Sequence, residues 1–318
     1  MSEVLATYDA LAARIHRAFR PDLSDAEFGS LALDIHAFQR RWNEPYARFC
    51  ATRPAPTHWR EIPATPQSAF KRFALSCVPR EHIGKTFLTS GTTGETRGAH
   101  HFRDTELYDA AVLGGWRRLG LPRLRQVILA PSPTEAPQSS LSHMLATLAV
   151  EAGNTEPVAM LGTALAFLHH FDTTPARVLP PGSFAMETGG YKGSGRDIAK
   201  VELYAMFERH LGLKPDDVLN EYGMTELSSQ FYTRGLGGVH TGGPWVRALV
   251  INPASGAEAA IGEAGVLRIF DLANLNSSLA IETQDLAIRR ADGFELLGRD
   301  PAALPRGCSR AADEMLRR

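Results

Sequence analysis

The chain has 318 residues, of which 34 are Lys or Arg and 35 are Asp or Glu, so its formal net charge is -1. This balance excludes a basic surface field of the kind that drives nucleic-acid binding, and a hydrophobic content of 44% excludes wholesale disorder. No apolar run is long enough for a membrane span, and the N-terminus carries no cleavage signal, so we expect a cytoplasmic protein.

Residues 1–80 predict a leading helical layer, broken towards its end by prolines. Apolar residues recur at helical spacing over the first twenty positions: Val4, Tyr8, Leu11, Ile15 and Phe19. Cys50 and Cys77 lie in apolar contexts and are predicted to be core thiols, since the three cysteines have neither disulfide nor zinc spacing.

Residues 81–235 predict an α/β nucleotide-binding core, because strand-like and helix-like stretches alternate. We expect a strand in "KTFLTS", a glycine-rich loop, and then a helix that Asp104 caps and Gly120 ends. A second strand, "RQVILA", precedes another helix. The strand "FAMET" precedes a helix that Gly212 ends, and the strand "VLNEY" follows. Such alternation favours a largely parallel sheet covered on both faces.

Residues 236–318 predict an antiparallel β subdomain, as a sheet or small barrel, followed by a tail that carries Cys308. Short apolar stretches separated by glycine turns, with no helical periodicity, support this reading.

Three loops that follow predicted strands carry unusual chemistry: "TSGTTGETRG", "ETGGYKG" and "EYGMTE". The first offers backbone amides and hydroxyls suited to phosphate oxygens, but it is not a Walker loop because Arg97-Gly98 stands where Lys-Ser/Thr is required. The third combines an aromatic ring, a hydroxyl and a carboxylate, which can stack on a base, hold a phosphate and bind magnesium. Because ligands bind beyond the carboxyl ends of strands in such sheets, these loops predict a nucleotide site.

The same motifs carry a family resemblance. "LTSGTTGETRG" and "NEYGMTE" resemble the phosphate loop and the Tyr-Gly-x-Thr-Glu motif of the ANL adenylate-forming superfamily, and "IETQDLAIRRADGFELLGRD" resembles its Thr-Gly-Asp-Leu and Gly-Arg motifs. The details "IPATPQSAFKRF", "SSLSHM", "ETGGYKG" and "LGRDPAALPRGCS" look most like the acyl-protein synthetases of the bacterial bioluminescence fatty-acid reductase system. The resemblance covers the chain from about residue 60 onward.

The resemblance implies an α/β fold of the ANL type: a large N-terminal adenylation domain of layered α/β sheets with a small antiparallel β subdomain, lacking most or all of the mobile C-terminal domain. It also implies ATP and Mg²⁺ as cofactors and a carboxylic acid, of the fatty-acid class, as substrate. The acid would become an acyl-adenylate as pyrophosphate leaves. An acyl-reductase or acyl-carrier protein is the partner to expect.

Carried over residue by residue, the resemblance implies these nucleotide-binding residues: Thr89, Ser90, Gly91, Thr92, Thr93, Gly94, Gly189, Gly190, Tyr222, Gly223, Thr225, Asp285 and Arg299. It implies these catalytic residues: Cys308, Thr225, Glu226 and Arg299. In this scheme the first loop holds the β and γ phosphates, Tyr222 lines the adenine site and Asp285 accepts from the ribose hydroxyls. Glu226 is the expected Mg²⁺ ligand.

Several of these residues have plainer alternatives. Tyr222 could be a packing residue at a strand end, Glu226 could cap a following helix, and Asp285 could be a turn residue. His143, in "SSLSHM", could border the acyl pocket or face solvent. The pair His100-His101 lacks carboxylates at ligand spacing, so we do not expect it to bind metal.

Cys308 is the candidate acyl acceptor. Arg306 and Arg310 each lie two residues away, and two nearby cations favour the reactive thiolate. In the family that the chain resembles, a cysteine near the C-terminus carries the acyl group as a thioester. The alternatives are transfer to a separate amine, CoA or carrier-protein thiol, or a non-catalytic nucleotide-binding subunit.

The chain also departs from the superfamily pattern. Arg97 replaces the usual lysine of the phosphate loop, and Gln284 replaces the glycine of Thr-Gly-Asp. By this resemblance we expect no counterpart of the lysine that the mobile domain normally inserts into the site. Adenylation would then be slow, depend on a partner subunit, or use Lys192 or Arg196 as a substitute cation.

Overall fold

The computed structural model describes residues 3–90, 96–154, 156–189 and 198–299. Its α-helices are α1 (Glu3–Ala18), α2 (Asp25–Trp42), α3 (Glu44–Cys50), α4 (Glu106–Arg118), α5 (Ser140–Leu148), α6 (Ala164–Thr173) and α7 (Lys200–Leu211). Its strands are β1 (Thr65–Pro66), β2 (Lys85–Leu88), β3 (Ala99–Phe102), β4 (Arg125–Leu129), β5 (Val158–Thr163), β6 (Phe184–Thr188), β7 (Val218–Tyr222), β8 (Phe231–Arg234), β9 (Thr241–Gly242), β10 (Val246–Ile251), β11 (Ala264–Asp271), β12 (Ala280–Arg290) and β13 (Gly293–Arg299). In the described part of the chain, no helix has the length and apolarity to cross a bilayer.

The predicted helical layer is present as α1, α2 and α3. Of the apolar residues predicted at helical spacing, Val4, Tyr8, Leu11 and Ile15 are buried in α1. Phe19 follows the helix and is partly buried against the same hydrophobic core. Ser24 begins α2 with a capping box, because its hydroxyl accepts from the Glu27 amide while the Glu27 carboxylate accepts from the Ser24 amide. Cys50 and Cys77 are buried, which confirms them as core thiols.

A six-stranded sheet forms the centre of the fold, in the order β4-β5-β6-β7-β8-β9. The first four strands are parallel, as predicted, and the last two are antiparallel. One hydrophobic cluster includes side chains of α4 and α5, and another includes side chains of α6 and α7. The helix ends at Gly120 and Gly212 are confirmed, since both glycines have the positive φ that stops a helix.

The prediction for "KTFLTS" was wrong in one respect. β2 does not join the parallel sheet, because it pairs only with β3 in an antiparallel hairpin within the described residues. The glycine-rich loop therefore connects two strands rather than a strand and a helix. The cap of α4 also differs from the prediction: Thr105 is the N-cap residue, although the Asp104 carboxylate accepts a hydrogen bond from the Glu106 amide.

The second sheet has five strands and confirms the predicted antiparallel region. β12 is its longest strand and pairs with β11 along one edge. Its other edge is shared, because β1 pairs in parallel with Ile281 and Glu282 whereas β13 pairs with residues 285–290. β1 and β13 thus approach one another between Glu282 and Asp285. The predicted domain boundaries, after residues 80 and 235, stay a prediction. Two strands lie across them: β1 precedes the first boundary but pairs in the five-stranded sheet, and β9 follows the second but extends the six-stranded sheet.

Candidate nucleotide and metal site

The loops after β6 and β7 leave the same edge of the parallel sheet, as predicted. Thr188 and Glu221 are register partners near the ends of these two strands. Gly189 then has a φ of +70°, a conformation that favours glycine. Gly190, Lys192 and Arg196 lie outside the described residues.

The β2–β3 hairpin reaches this edge through the start of α5. The Leu88 amide donates to the carbonyl of Gln138 at 2.9 Å, and two residues later the Ser140 hydroxyl lies 3.4 Å from the hydroxyl of Thr225. The base of the glycine-rich loop and the Tyr-Gly-x-Thr-Glu turn therefore contact the same short segment. The structure brings together two of the three predicted loops even though their strands belong to different sheets.

The two ends of the glycine-rich loop are closed by hydrogen bonds. Thr89 donates its amide to the Gly98 carbonyl at 2.9 Å, and its hydroxyl accepts from the Gly98 amide at 2.8 Å. The Arg97 guanidinium donates to the carbonyls of Thr89 and Leu88, at 2.6 and 3.1 Å. Arg97 thus fixes the loop base through backbone contacts. Ser90 is exposed beside it, and the predicted phosphate ligands Gly91, Thr92, Thr93 and Gly94 lie outside the described residues.

Tyr222 and Asp285 meet across the two sheets. The Tyr222 hydroxyl donates to Asp285 Oδ2 at 2.8 Å, and less than a tenth of either residue is exposed. Asp285 lies inside β12, opposite the backbone of Arg299 in β13, so the reading of Asp285 as a turn residue was wrong. Tyr222 and the backbone of Arg299 therefore both adjoin Asp285. The resemblance predicted that these three residues, from distant motifs, surround the nucleoside.

Thr225 and Glu226 follow in a turn held by other parts of the chain. The Thr225 carbonyl accepts from His100 Nδ1 at 2.8 Å, and the Glu226 carbonyl accepts from Asn274 Nδ2 at 2.9 Å. The buried Glu226 carboxylate accepts from Gln67 Nε2 at 3.2 Å. No helix follows Glu226, since the next element is β8, so the helix-capping alternative was wrong.

Gly223 allows this turn to close over Glu221. A Cβ atom at position 223 would collide with Glu221 Oε1, so only glycine fits without displacing that carboxyl group. Close packing against Glu221 therefore explains why this position of the motif is glycine in this chain.

His100 is a support for the turn that sequence reasoning missed. Its Nδ1 faces a carbonyl oxygen, which can only accept, so we assign the proton to Nδ1; Nε2 then accepts from the Ser277 hydroxyl at 2.8 Å. Burial lowers the pKa of His100 to about 3, so the ring is neutral near neutral pH. Its partners are 125 and 177 residues away in sequence, and no local pattern could identify them.

The loop between β11 and β12 is a buried polar support that was also missed. At its start, Asp271 accepts from the amides of Ser228 and Ser229 at 2.9 and 2.8 Å. Further on, Gln39 donates to the Asn274 carbonyl and Asn43 to the Ser277 carbonyl, both at 2.7 Å. The polar run "NLNSS" was the sequence feature that could have indicated this loop. The loop links the helical layer to the turn that carries Glu226.

Two buried carboxyl groups, Glu187 and Glu221, lie near the same strand ends. Burial raises the pKa of each to about 7. Thr188 donates its hydroxyl to Glu221, while Glu187 accepts from Asn220 Nδ2 at 2.7 Å. Neither residue was singled out from the sequence.

The Glu221→Gln variant is expected to gain stability over the wild type as pH rises. The folded state holds the Glu221 proton up to about pH 7, whereas the unfolded state releases it near 4.5, so ionisation opposes folding increasingly between these values. Glutamine removes this opposition and can still accept from Thr188. Melting temperatures at about pH 5 and about pH 8 should therefore differ more from the wild type at the higher pH. Exposed Glu202→Gln is the control, and an equal difference at both pH values would contradict the prediction.

His143 lies beside Asp109 rather than simply facing solvent. Its Nε2 is 2.7 Å from Asp109 Oδ1, to which the Thr147 hydroxyl also donates at 3.0 Å. Burial opposes ionisation of Asp109, but hydrogen bonds from His143, Thr105 and Thr147 give a net lowering of its pKa. A border with the acyl pocket stays a prediction.

The oxygen donors at Glu226 fit magnesium. Within the described ranges, no group of three or more His, Cys, Asp and Glu residues could hold a metal ion. Magnesium in nucleotide enzymes, however, needs only one or two carboxylates together with substrate phosphates and water. The Glu226 carboxylate is a hard oxygen donor of the required kind, and the neighbouring Oε1 of Gln67, which is buried and has no hydrogen-bond partner in the described structure, can accept from a water of such a metal.

Comparison with known proteins identifies the fold. No family model and no curated protein sequence matches this chain. Among solved structures, ATP-bound MatB from Rhodopseudomonas palustris is 16% identical with a TM-score of 0.52, over 71% of this chain and 50% of MatB. A 2-hydroxyisobutyryl-CoA ligase in complex with 2-HIB-AMP and CoA is 14% identical with a TM-score of 0.65, over 89% of this chain and 77% of the ligase.

These likenesses confirm the predicted fold class, an α/β fold of the ANL N-terminal-domain type. This chain spans about half the length of MatB. At such low identity the comparison concerns the fold alone, and it does not test the resemblance to the bioluminescence acyl-protein synthetases.

Proposed function

We propose that this chain uses ATP to convert a carboxylic acid into an acyl-adenylate, with Mg²⁺ bound at Glu226. The observation that carries the proposal is the meeting of Tyr222 and Asp285 beside the Thr225–Glu226 turn and the base of the glycine-rich loop. The fold adds support, because a solved structure of this fold contains an acyl-adenylate with CoA.

The reaction needs orientation and charge neutralisation rather than covalent catalysis by the protein. A carboxylate oxygen attacks the α-phosphorus of ATP, the bond to the β-phosphate oxygen breaks, and pyrophosphate leaves with that electron pair. Asp285 would accept from the ribose hydroxyls and Thr225 would donate to a phosphate oxygen. Bound Mg²⁺ would neutralise negative charge on the phosphates.

The closed base of the glycine-rich loop supports the phosphate part of the proposal. Hydrogen bonds from Thr89 and Arg97 join the two ends of the loop, and this base contacts the same segment as Thr225. Backbone amides and hydroxyls in that sequence suit the terminal phosphates. Ser90, Thr92 and Thr93 are the hydroxyls that we assign to this role.

ATP–pyrophosphate exchange, screened over carboxylic acids of different chain length and ring content, tests the proposal. We expect exchange that depends on one class of acid, with fatty acids as the first class to test. Binding of ATP without exchange for any acid would instead support a non-catalytic nucleotide-binding subunit.

For the second half-reaction we propose Cys308, which lies outside the described residues, as the acyl acceptor. Its thiolate would attack the acyl carbonyl, forming a thioester as AMP leaves. The Cys308→Ser variant is then expected to lose hydroxylamine-labile, ATP-dependent labelling by radioactive acid, while pyrophosphate exchange continues. Cys50→Ala, at a buried thiol in α3, is the control and should retain the labelling.

The competing acceptor is a separate thiol or amine. CoA has a specific argument, because the solved ligase structure contains CoA beside the adenylate. If CoA or a carrier protein receives the label while the chain itself stays unlabelled, the Cys308 proposal is wrong and the adenylation proposal survives.

A further inference from the structure

We infer that Gln67 is a positioning residue for the carboxylate of Glu226, an inference that rests on the proposed function. Gln67 lies 159 residues before Glu226 in sequence, yet its Nε2 is 3.2 Å from Glu226 Oε1. A carboxylate oxygen accepts and an amide NH₂ donates, so this contact fixes which end of the Gln67 amide faces Glu226.

The backbone around Gln67 is anchored on both sides. The two residues before it form β1, which pairs with Ile281 and Glu282 of β12, close to Asp285. Gln67 itself begins a short 3-10 turn (Gln67–Lys71) in which Phe70 is buried, with its ring centre 5.5 Å from that of His100. The backbone of Gln67 is therefore held between β12, which carries Asp285, and His100, which supports the Thr225–Glu226 turn.

Gln67 makes a contact with Glu226 that the other supports of this turn do not. His100 donates to the Thr225 carbonyl and Asn274 to the Glu226 carbonyl, so both fix backbone atoms. Gln67 reaches the carboxylate itself. Because its amide is neutral, it can orient the carboxylate without cancelling the charge that attracts a cation, as a lysine at this position would.

The other end of the Gln67 amide indicates a role beyond packing. Its Oε1 is buried and has no hydrogen-bond partner in the described structure. A buried acceptor without a donor is costly, and most such atoms in folded proteins are satisfied. Magnesium keeps several of its waters when it binds to a carboxylate, and a metal-bound water is a strong donor. The Gln67 NH₂ group thus donates to Glu226, and its carbonyl oxygen is available to accept from a water in the hydration shell of the metal.

The test compares metal-dependent with metal-free nucleotide binding. In Gln67→Met, which is similar in length, we expect the affinity for Mn²⁺ with α,β-methylene-ATP to fall about tenfold or more, while AMP binding in EDTA stays within about twofold of wild type. Ser68→Ala is the matched control, since Ser68 is the next residue in the same turn and its buried hydroxyl also has no partner in the described structure. It should leave both affinities unchanged.

Equal losses of both affinities in Gln67→Met, or no loss of either, would overturn the inference. If Gln67→Met does not fold, the same comparison on Gln67→Asn decides, because its amide is one methylene too short to reach Glu226. Failure of the proposed function looks different: the wild type itself would then bind neither nucleotide, or it would bind both and show no pyrophosphate exchange with any acid. Normal wild-type binding with an unaffected Gln67 variant contradicts this inference alone.

Discussion

ATP–pyrophosphate exchange is expected to fall at least about a hundredfold when Glu226 is replaced by glutamine. The substitution keeps the shape of the side chain and leaves an oxygen that can accept from Gln67 Nε2, so the buried turn should remain folded. It removes the negative charge that would bind Mg²⁺ beside the triphosphate. The loss should therefore appear in kcat and in the Mg²⁺ dependence, measured by exchange at several metal concentrations.

Glu258→Gln is the matched control for Glu226→Gln. Glu258 is a partly buried glutamate that pairs with Arg289, in the connection between β10 and β11. The same loss of one carboxylate charge should there leave exchange within about twofold of wild type. Exchange that survives in Glu226→Gln, at ordinary Mg²⁺ concentrations, would contradict the assignment of Glu226 as metal ligand.

Asp285→Asn is expected to raise the KM for ATP by about tenfold to a hundredfold. The asparagine oxygen can still accept from the Tyr222 hydroxyl, so the bridge between the two sheets has a replacement. The substitution removes the charged acceptor for the ribose hydroxyls. Hydrogen bonds to a charged group contribute more to binding than hydrogen bonds between neutral groups. Initial rates of exchange at varied ATP and saturating acid measure the effect.

Two comparisons make the Asp285 result specific. Asp292→Asn changes an exposed aspartate in the turn between β12 and β13 and should not alter the KM. Tyr222→Phe keeps the ring but removes the hydrogen bond to Asp285, so its effect should be smaller than that of Asp285→Asn. An unchanged KM in Asp285→Asn, with the fold intact by circular dichroism, would contradict the ribose assignment.

Local patterns predicted the parts of this molecule whose causes are local. The ends of β6 and β7 follow from runs of buried residues before polar loops, and the end of α7 follows from Gly212, whose backbone conformation only glycine adopts readily. The resemblance supplied Tyr222 and Asp285, which lie 63 residues apart and are hydrogen-bonded. The ANL-type fold is likewise confirmed.

What the sequence could not predict depends on contacts between distant segments. β3 is four residues long and follows a loop without a hairpin signal, so β2 was assigned to the wrong sheet. Gln67, His100 and Asn274 reach the Thr225–Glu226 turn from three separate regions, and each has an ordinary local sequence. Their roles follow from the way β1, β3 and the β11–β12 loop converge, which no short window records.

A crystal structure with Mg²⁺ and α,β-methylene-ATP tests the central claim most directly, because that claim concerns where one nucleotide lies. We predict the triphosphate between the glycine-rich loop and Thr225, the metal at the Glu226 carboxylate, and the ribose hydroxyls within hydrogen-bonding distance of Asp285. A nucleotide bound on another face of the protein, with Glu226 and Asp285 remote from it, would contradict the account.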